Sequence, residues 1–181
     1  ELVLTEDDVV DYSNAYQTIT TESGSVYAIT VSLKQINGPS KAQLWVGTVQ
    51  GNASMLEVNP IAVGDSQTFY FTASGASALV QLVHNNSAST GDNSVWDNIS
   101  VKLADADRSV NNNGLIINGT ITREPIATGS DLVAYSGFSA NNYLEQPYNS
   151  DLDFGTDEFA VIGWLKQSAN TAVETILERD S

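Results

Sequence analysis

At 181 residues the chain has room for one large domain or two small ones, and its 41% apolar residues are enough to fill a core. Seven Lys and Arg stand against 22 Asp and Glu, a formal net charge of −15. That field repels phosphate, which excludes nucleic acid and anionic membrane surfaces as partners; it attracts cations, and equally it keeps a protein soluble in salt. The lack of cysteine excludes a disulfide framework and thiolate metal sites, and a lone histidine, His84, argues against a zinc centre. There is no apolar run of about 18 residues, so no membrane-inserting helix is expected.

Period-two alternation dominates the first hundred residues, and no helical stripe competes with it. Val26 to Leu33 places Tyr27, Ile29, Val31 and Leu33 on one face and Ala28, Thr30 and Ser32 on the other. After a turn at Asn37-Gly38-Pro39-Ser40, Gln43 to Thr48 puts Leu44 and Val46 inward, with Gln43 and Trp45 outward. Ser66 to Ala73 directs Phe69 and Phe71 to the core and Thr68, Tyr70 and Thr72 away from it. Ala78 to His84 follows with Val80 and Leu82 inward and Gln81 outward, and Ser94 to Leu103 closes the set. Short strands rich in Val, Ile, Thr, Tyr and Phe, separated by Gly, Asn and Ser turns, predict an all-β antiparallel sandwich of the jelly-roll kind.

Pattern fails between Ala104 and Gly114, where the chain turns charged and then Asn-rich, the mark of a connection between modules. Strand character resumes at Leu115 to Ile121 and again at Asp131 to Phe138. Asn142 to Lys166 then runs from an aromatic edge segment through an acidic turn into an alternating stretch carrying Phe159, Val161, Trp164 and Leu165, and Ala172 to Glu178 is one more strand candidate. The expected organisation is a first module over 1–104, a linker over 105–114 and a second module over 115–181. The second is too short to close a sandwich by itself, so it is expected to continue past Ser181; the first is expected to have lost part of its opening strand before Glu1.

Three segments of the first module carry a family resemblance: AYQTITTESGSVYAITVSL (Ala15 to Leu33), QTFYFTASGASALVQL (Gln67 to Leu82) and, most specifically, SVWDNISVKL (Ser94 to Leu103). They resemble the jelly-roll carbohydrate-binding modules found beside glycoside hydrolases and in phage tail proteins. The opening Asn-Gly strand and tryptophan of that family are missing. From about Asn113, NGLIINGTITREPIATGSDLVAYSGFSANNYLEQPYNSDLDFGTDEFAVIGWLK resembles the start of a concanavalin A-like (laminin-G-like) lectin sandwich as it occurs in phage tail-fibre and other virion surface proteins. Two binding sandwiches in series imply a modular adhesive protein, outside the cell or on a virion surface, that contacts glycans or cell-surface polysaccharide. Other virion or fibre subunits, and further copies of the chain in a homo-oligomer, are the protein partners such a resemblance implies.

Candidate chemistry is sparse. Strict alternation through Val95-Trp96-Asp97-Asn98-Ile99 places Asp97 on the face of Val95, Ile99, Val101 and Leu103, where an ionised carboxylate needs a cation or several donors. In the resembling modules this aspartate holds a structural Ca2+ with oxygens of the N-terminal strand; the alternative is a strand-end carboxylate that accepts backbone hydrogen bonds. Asp151, Asp153, Asp157 and Glu158 form an acidic group that reads as a solvated turn, as calcium ligands, or as paired carboxylates for glycoside hydrolysis. The Glu-x-Asp-x-x-Glu run of the glucanases that share the lectin fold is absent, and no catalytic residue is assigned. For a sugar, outward aromatics beside amides make a stacking platform, and Trp45, Tyr70, Gln43 and Gln81 are the candidates. Trp96 and Trp164 read as structural, and His84 as an edge residue. Four Asn-x-Ser/Thr sequons, at Asn52, Asn85, Asn98 and Asn118, are the chance yield of an Asn-rich chain. The reading is a non-enzymatic adhesion module; an accessory module of a secreted polysaccharide-degrading enzyme and a ligand-free spacer are the alternatives.

Overall fold

The period-two runs do pair, and the pairing explains which of them are strands. The computed structural model describes residues 1–6, 12–38, 41–85, 90–105, 114–128, 132–148, 150–156, 158–166 and 175–178. In chain order the strands are β1 (Leu2–Thr5), β2 (Tyr12–Thr20), β3 (Val26–Ile36), β4 (Lys41–Gly47), β5 (Leu56–Val58), β6 (Gln67–Thr72), β7 (Ser77–Asn85), β8 (Asn93–Asp105), β9 (Leu115–Asn118), β10 (Thr122–Pro125), β11 (Val133–Ser136) and β12 (Tyr143–Glu145), followed by a 3-10 turn at Ser150–Leu152. No α-helix occurs among the described residues. A six-stranded sheet runs β12-β9-β8-β3-β6 with β1 also paired to β8, a four-stranded sheet runs β2-β7-β4-β5, and β10 and β11 form a hairpin. Every pairing is antiparallel. This is the all-β sandwich that the alternation implies.

Inner faces of the two large sheets meet in one core. The six-stranded sheet contributes Ile29, Val31, Leu33, Phe71 and Trp96, the four-stranded sheet Ala42, Leu44, Val46, Ala78, Val80 and Leu82. Ile29, Val31, Leu33, Leu44 and Val46 are completely shielded from solvent. Each such side chain contributes about 1.5–3 kcal/mol relative to an exposed one. Trp96 is equally buried, and its indole N–H donates to Ser94 Oγ at 2.9 Å, which satisfies the one polar atom it takes into the core. Its structural role is thereby established.

One irregularity repositions a predicted site. Thr30 of β3 lies opposite Ser100 of β8, yet Ser32 lies opposite Asp97, so β8 carries an extra residue there. Asn98 absorbs it with φ of 50°, a left-handed conformation that Asn tolerates better than most residues. The bulge inverts the alternation: Trp96 points inward before it and Val101 packs on the core after it. Asp97 is therefore turned away from the core, opposite Ser32. The expectation of a core-directed Asp97 is corrected by this bulge.

The chain divides into two compact units, Glu1–Pro147 and Tyr148–Ser181. β9 pairs with β8 on one side and with β12 on the other, so the six-stranded sheet runs on to Glu145. Residues 106–113 themselves lie outside the described residues. In the second unit Phe154 and Phe159 stack at 4.5 Å, and Tyr148 Oη donates to Asp153 Oδ2 at 2.8 Å. The alternating stretch through Phe159, Val161, Trp164 and Leu165 is not strand, and its residues have no ladder partner among the described residues. Trp164, expected to be structural, is fully exposed there. The Ala172 to Glu178 candidate has only residues 175–178 described, and they are not strand.

Candidate ligand surfaces

The outer face of the four-stranded sheet gathers aromatic and amide side chains by register alone. Tyr16 of β2 lies opposite Gln81 of β7, and Gln81 lies opposite Trp45 of β4. Directly opposed residues project to the same side of a sheet, so these three form a row across three strands. Leu44 and Val46, the chain neighbours of Trp45, face the core, so the row faces away from it. The adjoining row on that face is Asn14, Val83 and Gln43. Tyr12 stands one row further, its ring edge-on to Trp45 at 5.9 Å.

A loop folds over part of this face. Gln81 Oε1 accepts a hydrogen bond from the Gly51 N–H at 2.7 Å, and Gln81 Nε2 donates to Asn52 O at 2.9 Å. The approach is close: a side chain at Gly47 would collide with the Asn52 carbonyl, and Gly51 takes φ of 76°. Gln50 Nε2 also donates to Asn14 Oδ1, at 3.4 Å. Gln81 is consequently 1% exposed, and Gln43 is 2% exposed, although alternation had placed both outward. Both residues are on the predicted face; what alternation does not reveal is their burial, and for Gln81 the loop above it. Tyr16, beyond the loop, is 56% exposed.

Two polar atoms on β4 have no partner among the described residues. Gln43 Oε1 and Trp45 Nε1 are both buried and make no hydrogen bond among the described residues. Leaving such an atom unpaired costs about 1–3 kcal/mol. An acceptor and a donor, two residues apart on one face, flank the amide of Gln81 and lead to the exposed ring of Tyr16.

The remaining predicted residues lie elsewhere. Tyr70 is on β6, in the other sheet, opposite Ala28; its hydroxyl donates to Gly114 O at 2.7 Å and its ring packs on Ala28, Ala104 and Ile116. It does not join Trp45, Gln43 and Gln81 in one platform, because β6 and β4 belong to opposite layers. Asp97 Oδ1 accepts from the Asn98 N–H at 2.9 Å. No group of three or more His, Asp or Glu side chains placed to hold a metal exists among the described residues. Calcium takes about six to eight oxygens, and Asp97, turned outward, supplies one side chain. Of the acidic group, Asp153 is engaged by Tyr148, and Asp157 lies outside the described residues.

Sequence reasoning missed Tyr12, Asn14 and Tyr16. Their signal was present: aromatic, amide and aromatic at a spacing of two place all three on one face of β2. It also misplaced His84. Far from an edge, His84 sits on β7 between β2 and β4, fully buried, with neither ring nitrogen hydrogen-bonded among the described residues. Burial pushes its pKa below the ordinary 6.5, against the opposing pull of the Glu6 and Asp92 carboxylates. Glu6 is itself 2% exposed, its Oε2 accepting from the Ser13 N–H at 3.3 Å.

Comparison with known proteins adds little to this geometry. No protein family matches the chain, and no curated protein matches it. Among solved structures the chain is similar to the enzymatically active domain of bacteriophage CBA120 tailspike protein 4, with 20% identity and a TM-score of 0.36. The likeness covers 56% of this chain and 15% of that one. So distant and partial a likeness transfers neither the ligand nor the activity of that domain.

Proposed function

We propose that the chain is a non-catalytic adhesion module of a surface protein, of the tail-fibre kind that its sequence resembles, and that it contacts a neutral glycan through the outer face of its four-stranded sheet. The row Tyr16, Gln81 and Trp45 carries this reading. The exposed ring of Tyr16 offers a flat apolar surface to the C–H face of a pyranose, and Asn14, one row away on the same strand, adds an amide. Neutral sugar suits this face, because its described polar groups are amides, hydroxyls and an indole, with Lys41 and Glu57 at its margins.

In this reading the protein works outside the cell or on a virion, in a homo-oligomeric assembly with other fibre subunits. Affinity electrophoresis against a panel of neutral polysaccharides tests it. Retardation by at least one of them is expected, with loss on Tyr16→Ala and retention on Tyr16→Trp; Tyr16 is exposed, so neither change disturbs folding. No retardation by any member of the panel would favour the spacer. A hydrolase domain in the same full-length polypeptide would favour the accessory-module reading, for which the binding face is the same.

A further inference from the structure

We propose a second ligand site, on the opposite sheet and independent of the first, for an acidic sugar of the uronic acid class. An open groove of about 620 Å³ lies between the turn before β3, the end of β8 and the β9–β10 connection. Two of the seven basic residues of a chain with net charge −15, Lys102 and Arg123, line it. Against that background of negative charge, the meeting of two cations at one concavity is the feature that needs a reason.

Both cations are held in place, and neither is used up. Arg123 Nη2 is 3.0 Å from Asp105 Oδ1, a carboxylate that is 16% exposed on its side chain. A guanidinium has five N–H donors, and the remaining four of Arg123 have no partner among the described residues. Lys102 Nζ donates to Asn118 Oδ1, and Asn118 Nδ2 in turn donates to Glu145 Oε2 at 2.8 Å. That leaves two ammonium donors. Arg123 is half-exposed, so its fork is open to a carboxylate in the bidentate geometry that guanidinium favours.

The rest of the lining suits a sugar ring rather than a simple anion. Leu103 and Ile121 supply apolar wall for C–H groups, and Ser25 and Thr120 supply hydroxyls. Glu22 and Asp105 are acceptors for sugar hydroxyls. They also balance the two cations, which leaves the lining with no net charge and discriminates against multiply charged phosphates. A pyranose carrying one carboxylate matches this set.

Trigalacturonate and its neutral counterpart galactotriose are the probes, titrated into the full chain and followed by amide chemical shifts. Trigalacturonate is expected to shift residues in the ranges 22–26, 102–105 and 119–123, and galactotriose to bind at this groove at least about tenfold more weakly. Lys102→Gln and Arg123→Gln are each expected to weaken trigalacturonate by about tenfold. Melting curves of both variants establish that they are folded; Lys102→Gln leaves the Asp105 pair intact, so it reports even if Arg123→Gln unfolds. Equal binding of the two trimers, shifts confined to other residues, no shifts with either trimer, or unchanged affinity in a folded Lys102→Gln would each overturn the proposal. Failure of the neutral glycan at Tyr16 leaves this result standing, because the two sites share no residue.

Discussion

Val26 to Leu33 and Phe159 to Leu165 carry comparable apolar patterns and end in opposite states. In the first, Ile29, Val31 and Leu33 are fully buried, because β3 has β6 on one side and β8 on the other. In the second, Phe159 is 63%, Ile162 93% and Trp164 103% exposed, with no strand formed. Intrinsic preference is the same; neighbours differ. A strand exists by virtue of its ladder and of the face it covers, so alternation specifies which side chains share a side but not whether that side is shielded.

The largest effect that sharpens this comparison is a pair of truncations. Leu44→Ala removes a side chain from the centre of the core and is expected to cost about 2–5 kcal/mol. Trp164→Ala removes a larger one and is expected to change stability by no more than about 0.5 kcal/mol. Urea unfolding of both variants, with unchanged m-values, checks the pair. A large loss on Trp164→Ala would mean that the second segment is packed after all.

A smaller effect probes the polar end of the packed unit. His84 is held below its ordinary pKa in the folded chain, whereas the unfolded chain takes up its proton near pH 6.5. As pH falls through about 6.5 the unfolded state therefore binds a proton that the folded state refuses, and stability decreases. This contribution is fully present above that value and is lost as pH falls toward the lowered folded-state pKa. Unfolding free energies between about pH 7.5 and 5 should decline in the native chain and stay flatter in His84→Leu. An increase of stability on acidification across that window would mean that Glu6 and Asp92 dominate over burial.

The smallest expected effect concerns Asp97. Turned outward by the bulge, its side chain is 35% exposed, so melting temperatures with calcium and with chelator are expected to coincide, and Asp97→Asn to change stability by about 0.5 kcal/mol or less. A calcium-dependent rise lost in Asp97→Asn would restore the site that the resemblance implies.

Much of the fold was legible, and the failures share one cause. The inward sets Ile29-Val31-Leu33, Leu44-Val46 and Val80-Leu82 follow from spacing, because each lies on a regular strand. Asp97 did not, since a single residue in left-handed conformation at Asn98 inverts every later side chain. Gln43 and Gln81 were on the expected face, yet both are buried, Gln81 because Val49 to Asn52 fold over it, a contact between segments about 30 residues apart. Tyr70 was assigned to a platform in the wrong layer, because alternation orders residues within a strand and is silent on which sheet the strand joins. The Lys102–Arg123 groove was out of reach for the same reason: it is assembled from three separate turns and strand ends.

The binding face decides the account. Once a retarding polysaccharide is found, its oligosaccharide should be titrated into the chain and amide shifts mapped by NMR. Shifts should concentrate on residues 14–18, 43–45, 49–52 and 79–83, the rows around Tyr16, Gln81 and Trp45 with their covering loop. Shifts that avoid those residues, with affinity unchanged in Tyr16→Ala, would contradict it.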